Sequence, residues 1–221
     1  MLWKLTKKQK APFLHQKAFC NFLMKKIATI VDYGLGNILS AKQSFLKIAN
    51  DNNMDLEVII TNNPEDVKKS THIVLPGQGA FKSCMYGLLS IKNMIKQLEI
   101  EVIEKKKPFL GICVGMQLLA DVSYENGTHL GLGWIEGEIK KLPALNRKLP
   151  HMGWNEVLAN NDKQSLLKEG QSKDFYFVHS YYFECKHKNN IAGITNYGIN
   201  FTSFISKENI YGVQFHPEKS S

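Results

Sequence analysis

Short apolar runs alternate with helix-like stretches through the first half of this chain, and several runs end in glycine-bearing loops. Ile27–Val31 is the first run, followed by Asp32-Tyr-Gly-Leu-Gly-Asn37. From Asn37 to about Asn50, Ile38, Ala41, Phe45 and Ile48 recur with helical spacing. Leu56–Ile60 is a second strand, and His72–Leu75 a third that ends in Pro76-Gly-Gln-Gly79. A helical stretch is expected over about 91–106, and Phe109–Ile112 is the next strand. Strand–helix alternation of this kind implies a parallel sheet covered on both faces. Ligands of such sheets bind at the C-terminal ends of the strands, where three of these loops lie.

The second half reads differently. Residues 130–142, 154–158, 175–178, 191–195, 200–206 and 210–215 are short strand candidates separated by Gly and Asn turns. They predict a mixed or antiparallel extension of the sheet. The expected fold is therefore α/β and three-layered: a mostly parallel central sheet, helices on both faces, and an antiparallel extension. No repeat, low-complexity tract or linker divides the chain, and 221 residues suit one domain that buries about 70% of its unfolded surface.

The net charge of +8 is unevenly placed. Residues 1–26 hold seven lysines and no acid, which leaves 21 Lys+Arg against 20 Asp+Glu in the remainder. That near-neutral body does not imply nucleic-acid binding. The basic lead lacks Arg and Ser, unlike a transit peptide, and its apolar stretch is short and broken, unlike a secretory signal. Residues 1–26 are accordingly read as a basic extension, with 1–23 dispensable, and 27–221 as the functional domain. No apolar run reaches the roughly 18 residues that span a bilayer. Cys20, Cys84, Cys113 and Cys185 form no C-x-x-C pair, so neither a zinc site nor a disulfide framework is expected and a reducing cytoplasm fits.

Cys113 carries the chemistry. It sits in Gly111-Ile-Cys-Val-Gly115, at the end of an apolar run, where a tight turn would lift a nucleophile clear of the sheet. The thiolate is the reactive form of cysteine, and a helix N-terminus beside a histidine favours it. The other three cysteines are read as small buried hydrophobes. Of seven histidines only His216 has a carboxylate two residues later. In extended chain, residues two apart face the same side, so Glu218 can orient His216 as a triad acid does. Pro217 stiffens the link. A tetrahedral oxyanion needs backbone donors; Val114 N–H is one candidate, and the loop through Gly77 and Gln78 the other.

Gly111-Ile-Cys-Val-Gly-Met-Gln117, Leu75-Pro-Gly-Gln-Gly-Ala-Phe81 and Gln214-Phe-His-Pro-Glu-Lys219 together resemble the class I (triad-type) glutamine amidotransferases. Val31-Asp-Tyr-Gly-Leu-Gly-Asn37, Gly131-Leu-Gly-Trp-Ile135, Pro150-His-Met-Gly-Trp-Asn155 and Tyr176-Phe-Val-His-Ser180 narrow this to the glutaminase subunits of imidazole glycerol phosphate synthase, over about 25–221. The resemblance implies that Cys113 attacks the side-chain amide of L-glutamine, with His216 as base and Glu218 as its orienter. It implies Gly79, Gln117, Glu125, Ser180 and Tyr181 as glutamine-binding positions. Trp154, Tyr176 and Lys219 match positions at a subunit interface and ammonia passage. The implied partner is a (βα)8-barrel cyclase that takes up the ammonia. No metal, cofactor, nucleic acid or membrane is implied. Family members usually continue past His-Pro-Glu into a closing helix, whereas this sequence ends at Ser221. The alternatives are a subunit that feeds ammonia to another synthase, such as one aminating a surface sugar, a degenerate partner-binding domain, or a stand-alone cysteine hydrolase.

Overall fold

The computed structural model describes residues 25–143, 145–160 and 170–220. The extension expected over residues 1–26 lies outside them apart from Lys25 and Lys26, as do Cys20 and Ser221.

The first half follows the alternation. β1 (Lys26–Val31), β2 (Leu56–Thr61), β3 (His72–Gly77) and β4 (Phe109–Cys113) are joined through α1 (Ile38–Asp51), α2 (Pro64–Lys69), α3 (Phe81–Ser90) and α4 (Met94–Leu98). β1 pairs in parallel with β2 and β3, and β3 with β4. Consecutive residues of β1 and β3 are buried, as expected of strands covered on both faces. Asn63 caps α2 by accepting the Glu65 N–H at 3.1 Å, and Pro64 opens the helix.

Two parts of this half differ from expectation. Phe81–Ser90 is helical although its period was not apparent in the sequence. The helix expected over 91–106 is instead α4 running into a π-helical turn, Glu99–Glu104. Asn93, at φ 63°, starts α4 from a left-handed residue. Within the π turn Glu101 is fully buried and held by Lys105 and Lys107 at 2.8 and 2.7 Å. The Asn209 amide takes the carbonyls of Val102 and Lys107.

The second half supplies β5 (Val122–Ser123), β6 (His129–Leu130), β7 (Gly137–Lys141), β8 (His151–Ala159), β9 (Ser172–His179), β10 (Tyr181–Cys185), β11 (Ile191–Tyr197), β12 (Ile199–Lys207) and β13 (Ile210–Val213). All thirteen described strands form one mixed sheet in the order β2-β1-β3-β4-β13-β12-β10-β7-β5-β6, with β11, β8 and β9 branching from β12. β13 is parallel to β4 and antiparallel to β12, so it joins the two halves. Residues 131–136 interrupt the strand expected over 130–142. There the backbone N–H groups of Leu132, Trp134 and Ile135 donate to the carbonyls of Leu118 and Leu119, which clamps the segment beyond Cys113. Phe81, Phe109, Phe177, Phe183 and Phe201 are fully buried in a core shared by both halves. Truncating any one to alanine costs about 3–5 kcal/mol.

Candidate active site

Cys113 ends β4 at φ 54°, ψ −112° and begins a single helical turn, α5 (Val114–Gln117). A residue with a Cβ is strained in that conformation, at a cost of order 1–3 kcal/mol. The strain persists because the turn is packed backbone to backbone against β3. A Cβ on Gly115 would run into the Leu75 carbonyl oxygen, and one on Gly77 would lie 2.6 Å from Gly115 N. The two glycines therefore permit the approach that brings Gly77 level with Cys113 in the ladder.

β13 runs beside β4 and delivers His216 just past its end. His216 Nδ1 and Glu218 Oε1 are 2.8 Å apart, and both side chains are buried. A carboxylate oxygen accepts, so Nδ1 carries a proton and Nε2 is the nitrogen left to exchange a proton with a thiol. His216 Nε2 is buried without a hydrogen-bond partner among the described residues. Burial pulls the His216 pKa down. The neighbouring Cys113 and the hydrogen-bonded, charged Glu218 overcome it and raise the pKa to about 9. The main chain is held as well: His216 N–H donates to the Tyr176 carbonyl at 2.8 Å.

Around the thiol lie two side-chain amides. Gln117 Nε2 donates to the Tyr181 carbonyl at 3.1 Å and to Gln214 Oε1 at 3.0 Å. Gln214 Nε2 lies 3.7 Å from Cys113 Sγ. Gln214 was not singled out in the sequence, although a glutamine between Val213 and Phe215, at the end of an apolar run, is the kind of signal that marks a buried polar role. Ser180 directs its carbonyl away from the site, to Leu142 N–H at 2.8 Å.

The loop that follows β3 is pinned on both sides of its second peptide. Tyr33 hydroxyl donates to the Pro76 carbonyl at 2.6 Å, and Cys84 Sγ donates to the Gln78 carbonyl at 3.3 Å. Glu125 Oε2 accepts the Phe81 N–H at 2.6 Å, so this carboxylate also ties down the loop. Gln78 and Gly79 are exposed, and Gly79 takes φ 92°. Cys84 is thus more than a space-filling hydrophobe. Its burial is complete, and desolvation raises its pKa to about 11. Tyr33 and Cys84 carried no distinguishing pattern in the sequence.

Trp154, Tyr176 and Lys219 come together on the surface. Trp154 and Tyr176 are opposite one another in the β8–β9 ladder, with rings edge to face at 6.2 Å. Lys219 Nζ stands 5.1 Å from the Tyr176 ring centre, and Trp154 is 57% exposed. No helix among the described residues is long and apolar enough to cross a membrane.

A nucleophile on a strained strand-end turn, a carboxylate-oriented imidazole and a glycine loop beside them are the parts needed for acyl transfer from an amide. The family model for class I glutamine amidotransferases matches residues 30–221. Imidazole glycerol phosphate synthase subunit HisH of Zymomonas mobilis is 44% identical over 195 residues, covering 86% of this chain and 88% of the relative. The HisH 2 subunit of Methanococcus maripaludis is 46% identical, covering 86% and 91%. A solved glutamine amidotransferase of Thermotoga maritima shares the fold, with a TM-score of 0.60 at 16% identity over 88% of this chain and 77% of that one. The chain belongs to the class I glutamine amidotransferase family, among its HisH subunits of imidazole glycerol phosphate synthase.

Proposed function

We propose that the chain is the glutaminase of a two-subunit imidazole glycerol phosphate synthase in histidine biosynthesis. Cys113 Sγ attacks the side-chain carbonyl of L-glutamine while His216 takes the thiol proton. His216 then gives that proton to the departing ammonia, leaving a glutamyl thioester on Cys113. Water, deprotonated by His216, hydrolyses the thioester to glutamate and frees the thiol. Glu218 holds the imidazole in the tautomer both steps require. The oxyanion is met by backbone N–H groups of Val114 and of the Gly77–Gln78 loop. Gly79, Gln117, Glu125, Ser180 and Tyr181 hold the substrate. The observation that carries this reading is Cys113 at φ 54°, level with the glycine loop and beside the strand that leads to the buried His216–Glu218 pair.

Ammonia in water at neutral pH is mostly protonated and is then no nucleophile. It passes instead into a (βα)8-barrel cyclase subunit, which makes imidazole glycerol phosphate and an aminoimidazole carboxamide ribonucleotide. Trp154, Tyr176 and Lys219 form part of the docking face and passage of this cytoplasmic heterodimer. The pins at Pro76 and Gln78 leave the peptide between Gly77 and Gln78 as the natural element to turn when the partner docks. Residues 1–23 are a dispensable extension, and the boundary expected at residue 27 moves back because Lys26 already pairs with Leu56 in β1.

Co-purification with the matching cyclase, followed by a glutamine-dependent synthase assay, tests the whole reading. The isolated chain is expected to be a poor glutaminase that the liganded cyclase accelerates many-fold. Equal glutaminase rates with and without it would sink the coupling, and removal of residues 1–23 should change neither rate.

A further inference from the structure

A polar chain runs through the antiparallel half and ends at the thiol. The Tyr181 carbonyl oxygen accepts from Gln117 Nε2 and also meets His179 Nδ1 at 2.8 Å. His179 Nε2 meets His151 Nδ1 at 2.9 Å, and His151 Nε2 meets Asn155 Nδ2 at 3.1 Å. Asn155 Nδ2 also donates to the Asn196 carbonyl at 3.0 Å. On the other side, Gln117 leads through Gln214 to Cys113 Sγ. The side chains of His151, His179, Gln117 and Gln214 are all buried.

The hydrogen positions follow from one atom. A backbone carbonyl only accepts, so His179 carries its proton on Nδ1. Its Nε2 is then an acceptor, which requires His151 to donate from Nδ1. His151 Nε2 is left as an acceptor, and the Asn155 amide supplies its donor. A second proton on His179 would face the N–H of His151, and one on His151 would face the Asn155 amide. The surroundings also oppose charge. The His151 ring stacks on Phe177 and Tyr197 at 4.8 and 4.0 Å, and the Phe201 ring approaches both histidines. Arg147 lies over the Tyr197 ring, 5.0 Å from its centre. Burial, then Arg147, lowers the His151 pKa to about 4. Burial, helped by His151 and His216 and opposed by the bond to Tyr181, lowers that of His179 to about 3.

We propose that His151 and His179 are positioning residues for glutamine hydrolysis: a neutral, single-tautomer pair that fixes the Tyr181 carbonyl and, through it, the Gln117 and Gln214 amides beside Cys113. With both Nε2 hydrogens of Gln117 engaged, on Tyr181 and Gln214, its side chain has one orientation and the direction of its Oε1 is set. Without His179 that carbonyl loses its second donor, and the glutamine subsite loosens while the triad stays intact. The kinetic consequence rests on the glutaminase reading; the tautomers do not.

The test uses the chain in complex with its matching cyclase. Ring nitrogen NMR, assigned with His151→Phe and His179→Phe, should show both rings neutral and protonated on Nδ1 at neutral pH. His179→Phe should raise KM for glutamine about tenfold, the worth of one buried hydrogen bond, with a smaller change in kcat. His179→Asn, which keeps an N–H near the Nδ1 position, should recover most of the loss. If His179→Phe does not fold, His151→Phe reports instead, through a smaller rise in KM while His179 keeps its proton on Nδ1, facing the Tyr181 carbonyl. A charged ring or an Nε2–H tautomer at neutral pH overturns the proposal, as does a wild-type KM in His179→Phe or an equal loss in His179→Asn. If the wild-type complex hydrolyses no glutamine, the glutaminase reading fails, and the ring spectra still decide the pair.

Discussion

The parallel strands β2-β1-β3-β4-β13 and the mostly antiparallel strands from β12 outward build one sheet but do different work. In the parallel half, strands buried on both faces stop abruptly, and their ends present backbone: the Cys113 turn and the glycine loop after β3. In the antiparallel half, β8 alternates between buried and solvent-facing residues. It holds His151 inward and shows Met152 and Trp154, 62% and 57% exposed, to the outside. The Cys113 turn therefore depends on close backbone packing, whereas the buried polar chain and the outer face depend on side chains. β13 belongs to both halves and leads to His216.

This division is sharpest at the nucleophile. Cys113→Ala should cut glutamine hydrolysis on the order of 10⁴-fold or more while leaving the complex intact, as single-turnover glutamate release and size-exclusion chromatography would show. Gly115→Ala strikes the same half through packing alone. It forces a Cβ into the Leu75 carbonyl and should destabilise the fold by about 1–3 kcal/mol in denaturant titration. An unchanged midpoint there would mean that β3 and the turn are less tightly joined than described. In the antiparallel half, Trp154→Ala should weaken cyclase binding about tenfold or more in a titration, with little effect on the unfolding midpoint of the isolated chain.

The smallest effect separates the halves by pH. His151 and His179 have pKa values lowered from 6.5, so the unfolded chain binds protons that the folded chain refuses. Their contribution to stability is whole above 6.5 and declines as pH falls toward 4 and 3. His216 has the opposite sign: raised to about 9, it contributes fully below 6.5 and fades as pH rises through 9. Thermal melts should show His151→Phe flattening the acid limb and His216→Asn the alkaline limb. A swap of those limbs would reverse the assignment of charge states.

The two halves also differ in how much of them the sequence made legible. Continuous apolar runs revealed the parallel strands, the glycines around Cys113 its tight turn, and the carboxylate after His216 the buried His216–Glu218 contact, because each of these is a local pattern. The π turn at Glu99–Glu104 escaped because its cause is remote, in Asn209 and in lysines that fold back on Glu101. The break at 131–136 escaped for the same reason: its backbone bonds go to Leu118 and Leu119. Tyr33 and Cys84 act through contacts with atoms 43 and 6 positions away, and Gln214 through contacts 97 and 101 positions away, which no spacing encodes.

Tyr176 faces two ways. Its ring lies in the surface cluster with Trp154 and Lys219, while its carbonyl oxygen takes the His216 N–H. A partner seated on that ring would handle the same residue from which the His216 main chain hangs. Contact at the perimeter and alignment at the centre are thus separated by one residue's width, and a signal between them has almost no distance to travel.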